Sequence, residues 1–229
     1  MLLAGKFILG TIIASFIQCL VWRQVNHVSQ FIARSFCDTC HHSLAFWQLI
    51  PIIGVALQKG RCHFCQHKLS LAPPLFELFG GFFASRYLTL NLYAGLLFSL
   101  GLWLAALAWF DLLTLSVPNI LLLLGLIFCL SLRFLKPTLT PFDLVIMLCL
   151  CLILVIFNWR HWLGAGDTLV LLGLMLAFGW YCTCLILFLA TLGCLVFNIF
   201  AKVAKLPFIP FLTLTYLGLA YVFPPLFGV

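Results

Sequence analysis

The stretch LYAGLLFSLGLWLAALAWF, residues 92–110, decides the fold. It runs without a charge and ends against Asp111. About 20 predominantly apolar residues are what a helix needs to cross a hydrocarbon layer. Similar stretches cover 3–22, 72–90, 117–135, 142–159, 167–179, 180–201 and 207–227. The breaks fall at Asn91, around Pro118, at Lys136–Pro141, at Arg160–Gly166, near Gly179 and at Lys202–Pro207, all turn or charge signals. The pattern predicts an all-α polytopic membrane protein of about eight transmembrane helices, with one polar module after the first.

Composition agrees. Of the 229 residues, 65% are apolar and only 7% are charged, with a mean hydropathy of +1.24. A soluble domain carries about 25% charged residues, and a disordered chain has the opposite bias. Met1–Trp22 has the look of a signal sequence, but no small-x-small cleavage site follows it, so a retained first span is the better reading. The expected division is a first helix over 1–22, a polar module over 23–71 and a transmembrane domain over 72–229.

Net charge is +7, which in a soluble protein would raise nucleic acid as a partner. Membrane proteins gather Lys and Arg on the cytoplasmic side for topology alone, and no basic-aromatic run argues for nucleic acid. The module carries Arg23, Arg34, Lys59, Arg61 and Lys68, so it is expected inside. Counting spans forward places Arg160, Lys202 and Lys205 inside as well, and Arg86, Arg133 and Lys136 outside.

The acids are sharper. There are five: Asp38, Glu77, Asp111, Asp143 and Asp167. A charge at the bilayer centre costs about 2.5–3.5 kcal/mol on insertion scales, so each needs a reason. Span counting puts Asp111 and Asp167 at the cytoplasmic face and Asp143 near the outer one. Asp167 follows Gly164-Ala165-Gly166. Such an acid caps a helix, marks a close backbone approach, or does chemistry. Two carboxylates a few Å apart cannot both ionise easily and share a proton. The ionised member can then take a proton from water while the protonated one donates to a scissile carbonyl.

The module holds Cys37-x2-Cys40 and Cys62-x2-Cys65 with 21 residues between the pairs. Two such pairs complete a tetrahedral zinc site, with iron–sulfur as the other thiolate-rich option. A redox dithiol is a third reading, disfavoured by a reducing cytoplasm. His41, His42, His63 and His67 could substitute as ligands or be solvated loop residues. Cys19, Cys129, Cys149, Cys151, Cys182, Cys184 and Cys194 lie in apolar runs and read as packing residues.

Taken in order, Ser15-Phe16, Ser35-x-Cys37-x2-Cys40, Ile50-Pro51, Gly60-Arg61-Cys62-x2-Cys65, Pro74-x2-Glu77, Asp111-x5-Val117-Pro118-Asn119, Gly164-x-Gly166-Asp167 and Pro207-Phe208-Ile209-Pro210-Phe211 make a pattern. It resembles the type IV prepilin peptidases, which process pilins and pseudopilins, and most of all the late-competence version of low-GC Gram-positive bacteria. The resemblance implies a multi-pass protein of the bacterial plasma membrane acting as an aspartic endopeptidase. Asp111 and Asp167 would be its catalytic pair, supported by Gly164, Gly166 and Pro118. It also implies zinc on Cys37, Cys40, Cys62 and Cys65, and cleavage of a short basic leader at the cytoplasmic face. Its partners would be prepilins or pseudopilins and the lipid bilayer, with no nucleic acid. Many members also N-methylate the new N-terminus using S-adenosylmethionine. Glu77 matches a family acid, either methylation-related or a solvent-side partner of Arg61 or Lys68.

The chain departs from the family at Leu169, where a Lys is common, and at Ala14 and Gln18-Cys19-Leu20, where Gly and Asn-x-Val are usual. Two other classes compete. One is a G-x-G-D protease of the presenilin or signal-peptide-peptidase type, which the cysteines disfavour. The other is a non-enzymatic zinc-bearing membrane scaffold.

Overall fold

The computed structural model describes residues 2–29, 34–135, 140–160, 162–201 and 206–227. Lys136, Lys202 and Lys205 of the charge count, and parts of the breaks they mark, lie outside the described residues. Among the described residues there is no β-strand, only two isolated bridges. The chain divides into two compact units, Met1–Leu88 and Thr89–Val229. The three-part division expected from sequence cuts by polarity, whereas packing groups by contact.

In the first unit, α1 (Leu2–Val25) packs along α3 (Ala72–Tyr87). Small residues make this contact. A Cβ on Gly80 would sit 2.6 Å from the Ala14 Cβ, and one on Gly10 would collide with Ala84 and the Gly80 carbonyl. Close backbone approach through small residues replaces the hydrophobic drive that lipid cannot supply. The outward faces of both helices are apolar, with Ile8, Ile12 and Phe16 exposed on α1 and Leu75, Phe79 and Phe82 on α3.

Between these helices lies the cysteine module. It contains a 3-10 turn at Phe46–Leu49 and the short α2 (Ile53–Leu57). Its two knuckles repeat each other with an offset of 25 residues. Phe36 bridges Ser43, and Arg61 bridges Lys68. The Cys37 N–H donates to the His42 carbonyl at 3.0 Å, and the Cys62 N–H to His67 at 2.9 Å. His41 and Gln66, at equivalent places, both take positive φ (55° and 59°).

The second unit contains α4 (Leu92–Thr114), α5 (Asn119–Leu135), α6 (Pro141–Trp159), α7 (Ala165–Ala201) and α8 (Ile209–Val222). Asn91 caps α4 by accepting the Tyr93 N–H at 3.0 Å. α4, the most buried of these helices, packs against α5 and α8, and α7 packs against α5, α6 and α8. Polar side chains stitch α4 to α5 and α8. Trp103 Nε1 donates to the Leu121 carbonyl at 2.6 Å, and the Thr213 and Tyr216 hydroxyls donate to Leu104 and Leu97.

α7 is interrupted at Gly179 (φ 80°, ψ 177°). A straight helix would separate Asp167 from Cys194 by about 40 Å at 1.5 Å per residue. Both line one cavity, so the chain folds back at Gly179. The turn expected there is present, made by a residue whose missing Cβ permits positive φ.

Four helices are long and apolar enough to cross a membrane: α1, α4, α6 and Ala165–Phe200 within α7. α5 and α8 are shorter apolar helices. By helix length the described residues therefore yield four candidate spans rather than eight.

Candidate active site and metal centre

Asp111 occupies the last turn of α4, where its backbone carbonyl accepts the capping Leu115 N–H at 3.0 Å. Leu115 is left-handed (φ 52°) and turns the chain toward Val117, Pro118 and α5. The Asp111 side chain meets the start of α8. Its Oδ2 accepts the Ile209 N–H at 3.1 Å, and the Phe208 N–H also donates to the carboxylate. A helix N-terminus has unpartnered N–H groups and a positive partial charge, so a carboxylate is at home there. Asp111 is only 8% exposed.

Asp167 lies in the first turn of α7. The Gly164 N–H donates to its carboxylate. That is half of a capping box, with an acid at the third helical position reaching back to the residue before the helix. Thr168 closes the same turn, its hydroxyl donating to the Gly164 carbonyl at 2.9 Å. Gly166 faces Val117, whose Cβ would be 3.9 Å from an added Cβ, so the two motif segments meet. Pro118 opens α5, its carbonyl accepting the Leu121 N–H at 3.1 Å.

The two carboxylates come within electrostatic reach of each other. Beside Asp167 a cavity of about 530 Å³ opens, walled by Leu154 and Phe157 of α6, Met175 and Leu187 of α7, and Phe208. The site thus has one acid held by amides, one at a cavity wall, and an apolar chamber between helices. Leu169 is exposed on α7 and brings no cation there.

Asp143 is built like Asp167 but sits elsewhere. It closes a capping box with Thr140 at the start of α6 and accepts the Trp180 Nε1–H at 2.8 Å. Glu77 does not face solvent. It is 7% exposed, accepts the Ile52 N–H at 2.8 Å and is hydrogen-bonded to Ser15. The expected pairing of Glu77 with Arg61 or Lys68 is replaced by these contacts, because Glu77 lies more than a turn inside α3.

In the first unit the Sγ atoms of Cys37, Cys40, Cys62 and Cys65 lie within 4.8 Å of one another and could hold a metal ion. Cys37 and Cys65 are 3.9 Å apart. A tetrahedral zinc with Zn–S of 2.3 Å needs S···S edges of about 3.8 Å, whereas a disulfide needs about 2.05 Å. The residues therefore fit a four-thiolate cation. The Cys65 and Phe64 amides pull the Cys62 thiol down to about 7, toward the thiolate a metal requires. Cys65, despite the His67 amide, is pushed up to about 11 by burial and its neighbouring thiols.

A bundle of apolar helices that brings two acids to helix ends in one unit, and a four-thiolate module in the other, define a membrane protein with the equipment of a protease. Residues 8–91 match the Bacterial Peptidase A24 N-terminal domain, and residues 98–199 match the Type IV leader peptidase family. The chain belongs to the type IV leader peptidase family.

Relatives agree. A prepilin leader peptidase/N-methyltransferase of Bacillus subtilis is 38% identical over 77 residues, covering 34% of this chain and 31% of the relative. One of Myxococcus xanthus is 35% identical over 80 residues, covering 34% of this chain and 24% of the relative. A type 4 prepilin-like proteins leader peptide-processing enzyme of Escherichia coli is 30% identical over 87 residues, covering 30% and 32%. The matched segments thus span at most about a third of these three relatives. No solved structure matches the chain.

Phe208 and Ile209, whose amides hold Asp111, were absent from the expected site residues. The signal for them was the Pro207–Pro210 bracket, read only as part of a family pattern. They lie beyond the stretch matched to the peptidase family.

Proposed function

We propose that the chain is an aspartic endopeptidase that removes the short basic leader of type IV prepilins or pseudopilins at the cytoplasmic membrane face. The observation that carries this is that the carboxylates of Asp111 and Asp167, 56 positions apart, come within electrostatic reach of each other at helix ends in a chain of five acids. Gly164, Gly166 and Pro118 shape the turns that present them.

In the reaction, one carboxylate takes a proton from water as its oxygen attacks the scissile carbonyl carbon. The partner, protonated, donates to the carbonyl oxygen. Collapse of the tetrahedral adduct breaks the C–N bond and the departing amine takes up a proton. The titration belongs to the pair. The Phe208 and Ile209 amides orient Asp111, and the apolar cavity at Asp167 receives substrate side chains while limiting water.

The arrangement is proposed to have about eight spans, with the short helices and both arms of α7 counted. The cysteine module and both aspartates would face the cytoplasm of a bacterial plasma membrane. Zinc is the proposed metal on the four cysteines, where it supplies structural cross-linking. N-methylation with S-adenosylmethionine is a separable second activity, and the described residues do not single out a site for that donor. Mass spectrometry of the mature substrate N-terminus decides it, and an unmethylated residue removes it.

Co-expression with prepilins tests the main reading. Asp111→Asn and Asp167→Asn should each abolish the mobility shift of a processed substrate while the protein still inserts. Processing by either variant would overturn the assignment. For the metal, about one zinc per chain is expected, and chelation should expose residues 34–70 to protease, since structural zinc contributes folding free energy directly. A metal-free chain with a protease-resistant module would reject it.

A further inference from the structure

The segment Phe46–Leu57 between the knuckles is built inside out. Phe46 is 81% exposed and Leu57 61%, with Trp47, Leu49, Ile50 and Ile53 also exposed. Gln48, the polar residue among them, is 7% exposed. Its amide is consumed internally, with Oε1 accepting the Ala45 N–H at 2.8 Å and Nε2 donating to Gln58 Oε1 at 3.0 Å. Water favours the reverse pattern.

The backbone is also closed on itself. The Ile53 N–H reaches the Pro51 carbonyl at 2.6 Å, and the Gly54 N–H reaches Ile50 at 2.8 Å. Pro51 has no N–H. Ile52 sits at φ 63°, ψ −54°, a strained place for a β-branched residue. Its N–H points away from the turn and is taken by the buried Glu77 carboxylate. Irregular backbone at membrane depth is tolerated only when its polar groups are satisfied within the protein.

Depth follows from the same contact. Glu77 lies five residues past the start of α3, about 7–8 Å along the helix at 1.5 Å per residue. Its other partner, Ser15, lies eight residues before Arg23 in the last turn of α1, about 12 Å deeper. An Arg at a helix end marks the headgroup level. The Ile52 turn is therefore pinned well inside that level. The flanking cations Arg34, Lys59, Arg61 and Lys68 are exposed, and Arg34 lies 5.7 Å over the Phe46 ring. No acid occurs between Asp38 and Glu77.

We propose that Phe46–Leu57 is a re-entrant hairpin seated in an anionic lipid surface, its apolar side chains in the acyl region and its basic rim among the headgroups. Glu77 is the residue that pins it, through the Ile52 amide. Aromatic and aliphatic side chains with a cationic border are the chemistry of interfacial insertion. The hairpin ties the cysteine module to the membrane at a point other than its two helices. This stands apart from the protease reading, since it makes no use of the aspartates.

The test is lipid-phase photolabelling of the unmodified full chain in vesicles of phosphatidylcholine and phosphatidylglycerol. A membrane-soluble diazirine should label peptide 46–57 to within about twofold of the α6 peptide. The knuckle peptides 36–43 and 61–68 should stay below a tenth of that. Labelling of 46–57 at the knuckle level would overturn the proposal. A second measurement places a photoreactive benzoyl-phenylalanine at position 46. A lipid adduct supports the proposal, whereas a crosslink to a second copy or to a co-expressed prepilin overturns it. Lipid labelling of 46–57 should fall at least twofold in Glu77→Ala, and an unchanged level would remove Glu77 as the pin. In phosphatidylcholine alone it should also fall, and an unchanged level would remove the role given to the basic rim.

Discussion

The starts of α6 and α7 are built to one plan and end in different chemistry. Each carries an aspartate at the third helical position, reaching back to the residue before the helix. Asp143 turns its second oxygen to the Trp180 indole, a neutral donor that fixes the helix against α7. Asp167 lies within electrostatic reach of another acid, Asp111, and lines a cavity. The local motif explains why an aspartate suits both places. On the proposed function, what lies opposite decides which of them has work beyond capping.

The comparison breaks most sharply under substitution of the acids. Asp167→Asn and Asp111→Asn should each lower cleavage by at least roughly a thousandfold, and the double variant should be no worse than either alone, because members of a catalytic unit are non-additive. A gel-shift time course reads this. Additive losses would separate the two residues.

A smaller loss is expected when Asp111 loses an amide. Ile209→Pro removes the Ile209 N–H, and it also disturbs the αR conformation of Phe208 and the packing of a buried side chain, so the loss includes more than one hydrogen bond. A hydrogen bond to a charged group alone is worth about 1.5–3 kcal/mol, so cleavage should fall at least roughly 10- to 150-fold. Single-turnover rates with the variant's thermal stability measured in parallel would show it.

On the other side of the comparison, Asp143→Ala should lower stability, as for a lost cap, with cleavage at the wild-type rate. Loss of cleavage in this variant would end the distinction between the two helix starts. Trp180→Phe should have the smallest effect, about 1 kcal/mol for one hydrogen bond, again with cleavage retained. Thermal unfolding in one detergent checks both.

How much of this was legible depends on how local each feature is. The Cys37–Cys40 and Cys62–Cys65 pairs announce themselves because two ligands on one turn need a fixed spacing, and the knuckle hydrogen bonds then repeat at the same offset. The break at Gly179 was legible because only glycine readily takes that φ in the middle of an apolar run. An approach of Asp111 and Asp167 could be expected from the chain only through topology, by counting spans to one face.

The partners of the acids were not legible. Nothing near Asp111 in the chain announces that amides from Phe208 and Ile209 will meet it across almost a hundred residues. For Glu77 the chain offered a methylation-related role or a solvent-side pairing with Arg61 or Lys68, and neither points to the Ile52 amide and Ser15 that it meets. A strained turn at Ile52 is set by the packing of three segments, not by its own residue type.

By itself, the sequence determined the helical membrane class, the thiolate cluster and the short set of acids able to do chemistry. Those follow from hydropathy, ligand spacing and scarcity, which are additive along a chain. Tertiary structure alone decided which helix N-terminus holds Asp111, which acid faces a neutral indole and which a second carboxylate, and where Glu77 is spent. Hydrogen bonds and electrostatic pairing fall off within a few Å. Their partners are chosen by packing between segments far apart in the chain.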